Sequence, residues 1–281
     1  MIAVAHNSAR EDLLSEAGTV RFVPTLNSIT NRMLRIVQDP GSAFSQLFDI
    51  VRYDPGFSAK VISIANSAYY SRTRDTLNLQ RAFQSIGLKE LRSILTCLTL
   101  LQDTSDQRRL CQGDLAAIWT HSLAVSYAAR ILSRRLMVED PEEVFIVSLL
   151  HDIGKGILYT QDDRYRDVVR EANETGRDLC SLEREAFGTD HQEAGECLST
   201  KWGFPEKLAA VIRGHHTKAG GENMLLHLVR VADAFIEDRR LDAGPEAIIL
   251  ENEKDYIISE VRRIGDLLGV DASAIAEYKE R

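Results

Sequence analysis

Cysteine is scarce. The 281 residues carry four, Cys97, Cys111, Cys180 and Cys197. They form no CxxC pair and match no zinc-finger spacing, so a disulfide framework or a thiolate-built metal site is not expected. Buried, reduced thiols in a cytoplasmic protein are. Proline is scarce too, with six in the chain, and strand-like alternation never lasts more than a few residues, which leaves little material for a sheet. No uninterrupted apolar run approaches the ~20 residues of a membrane span. The start, Met1 to Arg10, lacks the basic segment and apolar core of a secretion signal. Positive charge is in deficit: 34 basic against 42 acidic residues, a net charge of -8. That balance argues against a broad nucleic-acid-binding face and against attraction to anionic lipid.

What is present is helical periodicity. After a polar stretch to about residue 17, expected as a loosely held tail, Pro24 opens a helix to about Gln38. Asp39-Pro40-Gly41 turns the chain, and Ser42 can cap the next helix. Asp54-Pro55-Gly56 punctuates again, and Phe57 to Ser67 reads as helix. Asn66-Ser67 at its end reads as a cap or turn. Gly87 is a left-handed stop for Ala82–Ile86, and Leu88 to Leu101 follows. The polar segment 102–113 is expected as a hinge between two helical subdomains. Beyond it, helices are expected at roughly 114–136, 141–159, 163–175, 190–202, 205–214, 223–239 and 252–268. The fold class is therefore all-α, with an N-terminal bundle over 18–105 and a second helical core over 106–281. The C-terminal helix is expected to pack on that core or on a second copy in a homodimer. The groove between the subdomains is the default ligand or partner site.

Within this frame His151-Asp152 stands out. It lies in Val144–Leu158, apolar almost all round and hence buried if helical. A buried imidazole and carboxylate without partners cost several kcal/mol. His121, His191, His215, His216 and Asp233 can supply partners, and all are side chains that bind divalent ions. Each has an ordinary alternative: His121 as a satisfied core histidine, His191 as an exposed residue at a helix start, and His215-His216 as a helix end stabilised by the dipole. Asp152 and Asp233 could simply be hydrogen-bonded in the core. Neighbours on one helix also diverge by about 100°. His151 and Asp152 then share an ion only if the helix passes very close, or if the carboxylate bridges two ions.

In the order His121, His151-Asp152, Lys155, His191, His215-His216, Asp233, the chain resembles the HD superfamily of metal-dependent phosphohydrolases. His121, His151, Asp152 and Asp233 match that family's metal ligands. Lys155 matches the lysine of its HDxGK-type signature, which implies contact with a phosphate or bound water. His191, His215 and His216 are similar to the additional ligands of binuclear members, including cyclic-dinucleotide phosphodiesterases of the HD-GYP type. The Gly-Tyr-Pro extension of that group is absent, since Thr217-Lys218-Ala219-Gly220 follows His216. In the N-terminal half, Pro24-Thr25-Leu26, Asp39-Pro40, Tyr53–Phe57, Ile64–Tyr70 and Ala82–Leu88 resemble the HDOD domain, so the resemblance runs from about 18 to about 240.

The HDOD resemblance implies a bacterial signal-transduction module, a group often degraded at its catalytic positions. Here the ligand set is whole. It implies one or two divalent ions (iron, manganese or zinc), signalling proteins as partners, and a nucleotide as a further candidate ligand. The alternative is a nucleotidase or cyclic-nucleotide phosphodiesterase, with Asp152 and Lys155 as its catalytic residues.

Overall fold

The computed structural model describes residues 10–11, 13–15, 20, 23–39, 41–71, 75–104, 112–217, 223–237 and 244–272. Among them lie fourteen α-helices of eight or more residues and no strand, as the all-α class requires. The first five are α1 (Asn27–Gln38), α2 (Phe44–Tyr53), α3 (Pro55–Ala65), α4 (Leu79–Ile86) and α5 (Leu88–Thr104). After residues 105–111 come α6 (Gln112–Leu136), α7 (Pro141–Leu150), α8 (Ile153–Gln161), α9 (Tyr165–Thr175) and α10 (Leu179–Phe187). They are followed by α11 (His191–Trp202), α12 (Glu206–Gly214), α13 (Met224–Ile236) and α14 (Pro245–Leu268).

Local chemistry sets the helix ends. Asp54 caps α3 by accepting from Phe57 N–H, with Pro55 in the first turn, and Asp140 caps α7 in the same way ahead of Pro141. Gly176, Gly188, Gly203 and Gly269 adopt positive φ and stop α9, α10, α11 and α14. Helix α7 buries every residue from Val144 to Leu150. A helix apolar on all sides belongs at the centre, and α6, α13 and α14 pack round the same core. Burial of a side chain such as Phe145 or Leu149 contributes about 2–3 kcal/mol before entropy is charged.

Residues before 105 and after 111 meet along a packed seam. Trp119 donates its indole N–H to the Tyr53 carbonyl at 2.9 Å, and Ser63 donates to the Trp202 carbonyl at 2.8 Å. The Lys60 ammonium lies 4.3 Å from the Trp202 ring centroid. Arg52 pairs with Glu142 at 2.8 Å.

Several boundaries differ from expectation. The stretch 141–159 is two helices, broken at His151-Asp152. Helix α14 begins at Pro245 rather than near 252, because proline at the first helical turn starts it earlier. Helix α10 was not anticipated. Most of the expected hinge, 105–111, lies outside the described residues, as do Cys111 and 238–239; helix occupies 102–104 and 112–113 at its flanks. The described part of the N-terminal stretch is not loose. Arg10 pairs with Glu193, and the Cys197 thiol lies 3.1 Å from the Leu14 carbonyl oxygen. Cys180 is buried and Cys197 half-buried, as expected of structural thiols, whereas Cys97 is exposed on α5.

Candidate metal centre

Four helices and one helix break bring the ligand-type residues to one place. His121 comes from the first half of α6, Asp233 from α13, and His191 opens α11. His215 and His216 follow the last turn of α12. His151 and Asp152 sit at the break between α7 and α8. Here Asp152 leaves helical geometry, with φ -99° and ψ 16°, and its carboxylate makes no capping bond to α8. The side chain is therefore released toward the cluster. This removes the divergence expected of neighbours on one continuous helix: both His151 Nε2 and Asp152 Oδ2 face inward, 3.4 Å apart.

Asp152 is the centre of the geometry. Its Oδ2 lies 3.4 Å from His121 Nε2, on the side where His121 also approaches Asp233 Oδ1 at 3.1 Å. Its Oδ1 lies 3.2 Å from His215 Nε2 and 3.5 Å from His191 Nε2. His216 stands beside His215, with its Nδ1 3.8 Å from Asp233 Oδ2. Two groups result, each with ligand atoms mutually within 4.8 Å: His121, His151 and Asp233; and Asp152, His191, His215 and His216. Lys155, one turn into α8, donates to Asp152 Oδ2 at 2.5 Å. All seven predicted ligands and Lys155 thus meet, and His191 is buried rather than exposed at its helix start.

The imidazoles are oriented from behind. His151 Nδ1 lies 2.6 Å from the Ser148 carbonyl oxygen, and His215 Nδ1 lies 2.9 Å from that of Ile212. His191 Nδ1 faces the Glu183 carboxylate at 2.7 Å. In each case the acceptor fixes the proton on Nδ1 and turns the Nε2 lone pair inward. Glu183, on α10, escaped the sequence reading. A glutamate on an amphipathic segment carries no signal of its own, although Asp178 before that segment and Gly188 after it mark a helix.

Burial opposes charge throughout the cluster, and neighbouring groups decide the outcome. Burial works against ionisation of Asp152, but His151 and Lys155 outweigh it and hold the carboxyl well below its usual range. Burial likewise disfavours the Lys155 ammonium, yet Asp152 carries its pKa above the ordinary value. His215 is pushed down to about 4 by burial, with His151 adding to the effect. His216 is lowered for the same first reason, with His215 and His191 beside it.

The donor set fits a metal. His121 Nε2, His151 Nε2 and Asp152 Oδ1 are buried and make no hydrogen bond among the described residues, although carboxylate or imidazole atoms stand 3.1–3.6 Å away. Polar atoms that close without hydrogen-bond geometry are aimed at a common point, not at one another. Ligands about 2.1 Å from one ion lie about 3.0–3.4 Å from each other, close to the 3.1–3.6 Å seen. Five imidazoles and two carboxylates suit iron, manganese or zinc better than magnesium.

Among the described residues of the cluster, the side chains of His121, Lys155 and His216 keep some exposure to solvent, at 11%, 12% and 13%. On one side a water-sized cavity of about 30 Å³ separates Asp152 from Pro24, Thr25 and Asp54 of the N-terminal half. A groove of about 440 Å³ lies elsewhere, between Asp75–Asn78 and Arg81 on one wall and Glu143 and Pro205–Lys207 on the other. It holds none of the predicted site residues.

Comparison with known proteins accords with this architecture. The HDOD domain profile matches residues 23–218, and the chain belongs to that family. Among solved structures it is similar to the MmoQ response regulator of Methylococcus capsulatus (25% identity, TM-score 0.64, 86% of this chain and 93% of that one). It also resembles an HDOD domain protein from Geobacter sulfurreducens (22%, 0.53, 92% and 98%). A virulence factor from Campylobacter jejuni shares the fold (16%, 0.58, 96% of each). A search of curated proteins returns no match.

Proposed function

We propose that this chain is a signal-transduction protein whose histidine–aspartate cluster holds one or two divalent ions, and that it acts by binding a partner protein or a nucleotide. The observation that carries the reading is the Asp152 carboxylate, whose two oxygens face two different groups of ligand-type side chains. The similarity to a response regulator supports the signalling side of it. In this reading His121, His151, Asp152 and Asp233 hold one ion, and Asp152, His191, His215 and His216 the other. The largely buried cluster makes the ions a structural or sensing element, coupled to the N-terminal helices through α7 and across the small cavity that Asp152 shares with Pro24 and Asp54.

The partial exposure of Lys155 favours one second reading, a phosphohydrolase. Lys155 keeps a positive charge there, sharing Asp152 Oδ2 with His121, where a phosphoryl group could be received. The bound ions would supply a water acidified to near neutral pH and a Lewis acid for the phosphoryl oxygens. Asp152 would hold position between the two ligand groups, and the Lys155 ammonium would stabilise charge on the phosphate.

One experiment serves both. Protein purified without chelator is assayed for metal content beside Asp152→Ala, then tested with manganese or iron against mono-, di- and cyclic nucleotides. One or two ions per chain, lost in the variant, and no turnover support the signalling reading. Turnover that disappears with Asp152→Ala and Lys155→Ala moves the assignment to the hydrolase. Protein that takes up no ion overturns both.

A further inference from the structure

Glu183 is fully buried on α10, yet it lies among donors rather than bases. Tyr165 donates its hydroxyl to Oε1 at 2.5 Å, and the His191 backbone N–H donates to Oε2 at 3.0 Å. The His191 ring places Nδ1 3.0 Å from Oε1 and 2.7 Å from Oε2. Four approaches to two oxygens satisfy the carboxylate as an anion. Cys180, Glu183 and His191 also lie close enough together to suggest a third metal group. The Nδ1–Glu183 distance is that of a shared proton, however, so this trio supports His191 instead of binding an ion itself. The two other histidines with defined backing rest on neutral backbone carbonyls. The ligand group on the Oδ1 side of Asp152 is therefore backed by a full negative charge, and nothing comparable backs His151.

Resting on the two-ion reading above, we infer that Glu183, held by Tyr165, is the positioning residue that makes the His191 side of the cluster a competent second metal site. It fixes the Nδ1–H tautomer of His191 and supplies charge that offsets a second dication. The ion on the His121–His151–Asp233 side does not depend on it. Outer carboxylates of this kind typically change metal affinity by about 10–100-fold.

The test compares full-length wild type, Glu183→Gln, Glu183→Ala and Tyr165→Phe. Manganese binding is followed by calorimetry and elemental analysis, with circular dichroism of the metal-free proteins to establish folding. The wild type is expected to take two ions. In Glu183→Ala the weaker step should fall by about 10–100-fold while the tighter step stays within about threefold. Glu183→Gln can still accept from both His191 N–H groups while its amide faces the Tyr165 oxygen, so it should keep the tautomer but weaken the second ion. Tyr165→Phe should have the smallest effect. Nitrogen-15 NMR of the metal-free wild type should show His191 protonated on Nδ1. The inference is overturned if folded Glu183→Ala binds both ions as wild type does, if both steps weaken equally, or if His191 carries its proton on Nε2. Wild type that takes up fewer than two ions instead overturns the two-ion reading itself, and this inference with it.

Discussion

Asp54 shows how one buried residue ties the N-terminal helices together next to the site. It caps α3 and accepts from the Thr25 hydroxyl at 3.0 Å and the Phe57 N–H at 2.8 Å, on the far side of the small cavity from Asp152. Burial pushes its carboxyl up to about 7, against the pull of those donors. Because the folded value lies above the unfolded one, its contribution to stability is fully present below about pH 4 and is lost as the pH rises through 7. Three units correspond to at most about 4 kcal/mol. Metal-free wild type should therefore lose more stability between pH 5 and pH 8 than Asp54→Asn, which keeps the acceptor but cannot ionise. Urea titrations at the two pH values measure the difference, and equal losses in the two proteins would refute it. The same residue scale explains what was readable at the site. His151, Asp152 and Asp233 in apolar settings announce themselves by type, and the order of the histidines around them, matched to the HD family, made the seven ligand candidates legible. Glu183 was not, because a glutamate on an amphipathic helix is usually solvated and only its contacts distinguish it.

At the scale of elements, the site depends on a helix break and a close helix crossing. The break at 151–152 was hidden in the sequence, since Val144 to Leu158 keeps its apolar character through the turn and periodicity cannot register a change of axis. The crossing is made by glycine. A Cβ on Gly154 of α8 would stand 1.8 Å from the His191 carbonyl oxygen, and one on Gly195 of α11 would stand 2.6 Å from the Ile212 side chain. Backbone cannot yield as a side chain can. Gly154→Ala should therefore destabilise the protein by about 2–4 kcal/mol, and Gly195→Ala by less. Gly154→Ala should also weaken metal uptake, because it displaces α8, which follows Asp152 directly, from His191. Denaturant titration with parallel metal binding tests this; a Gly154→Ala protein as stable as wild type would show that the crossing has slack.

At the scale of the whole molecule, both tryptophans of the chain sit on the seam. Trp119 and Trp202 are 2% and 8% exposed and bond to Tyr53 and Val20 carbonyls respectively. Opening the seam would leave buried donors unpaired and strip cover from the Pro24–Asp54 side of the cluster. Tryptophan fluorescence should therefore report the same unfolding midpoint as far-ultraviolet circular dichroism, which follows all the helices. An earlier fluorescence transition would mean that the halves part before either unfolds. The all-helical class was legible at this scale from periodicity and punctuation alone. The seam was not, because contacts such as Ser63 with Trp202 join residues far apart in sequence through types that are common everywhere.

The most direct test of the central claim is anomalous diffraction at the manganese edge from crystals grown with that ion. The geometry around Asp152 predicts one or two peaks within the cluster, at the group of His121, His151 and Asp233, at the group of Asp152, His191, His215 and His216, or at both. A map without peaks, in which those side chains are hydrogen-bonded to one another or to water, would contradict it.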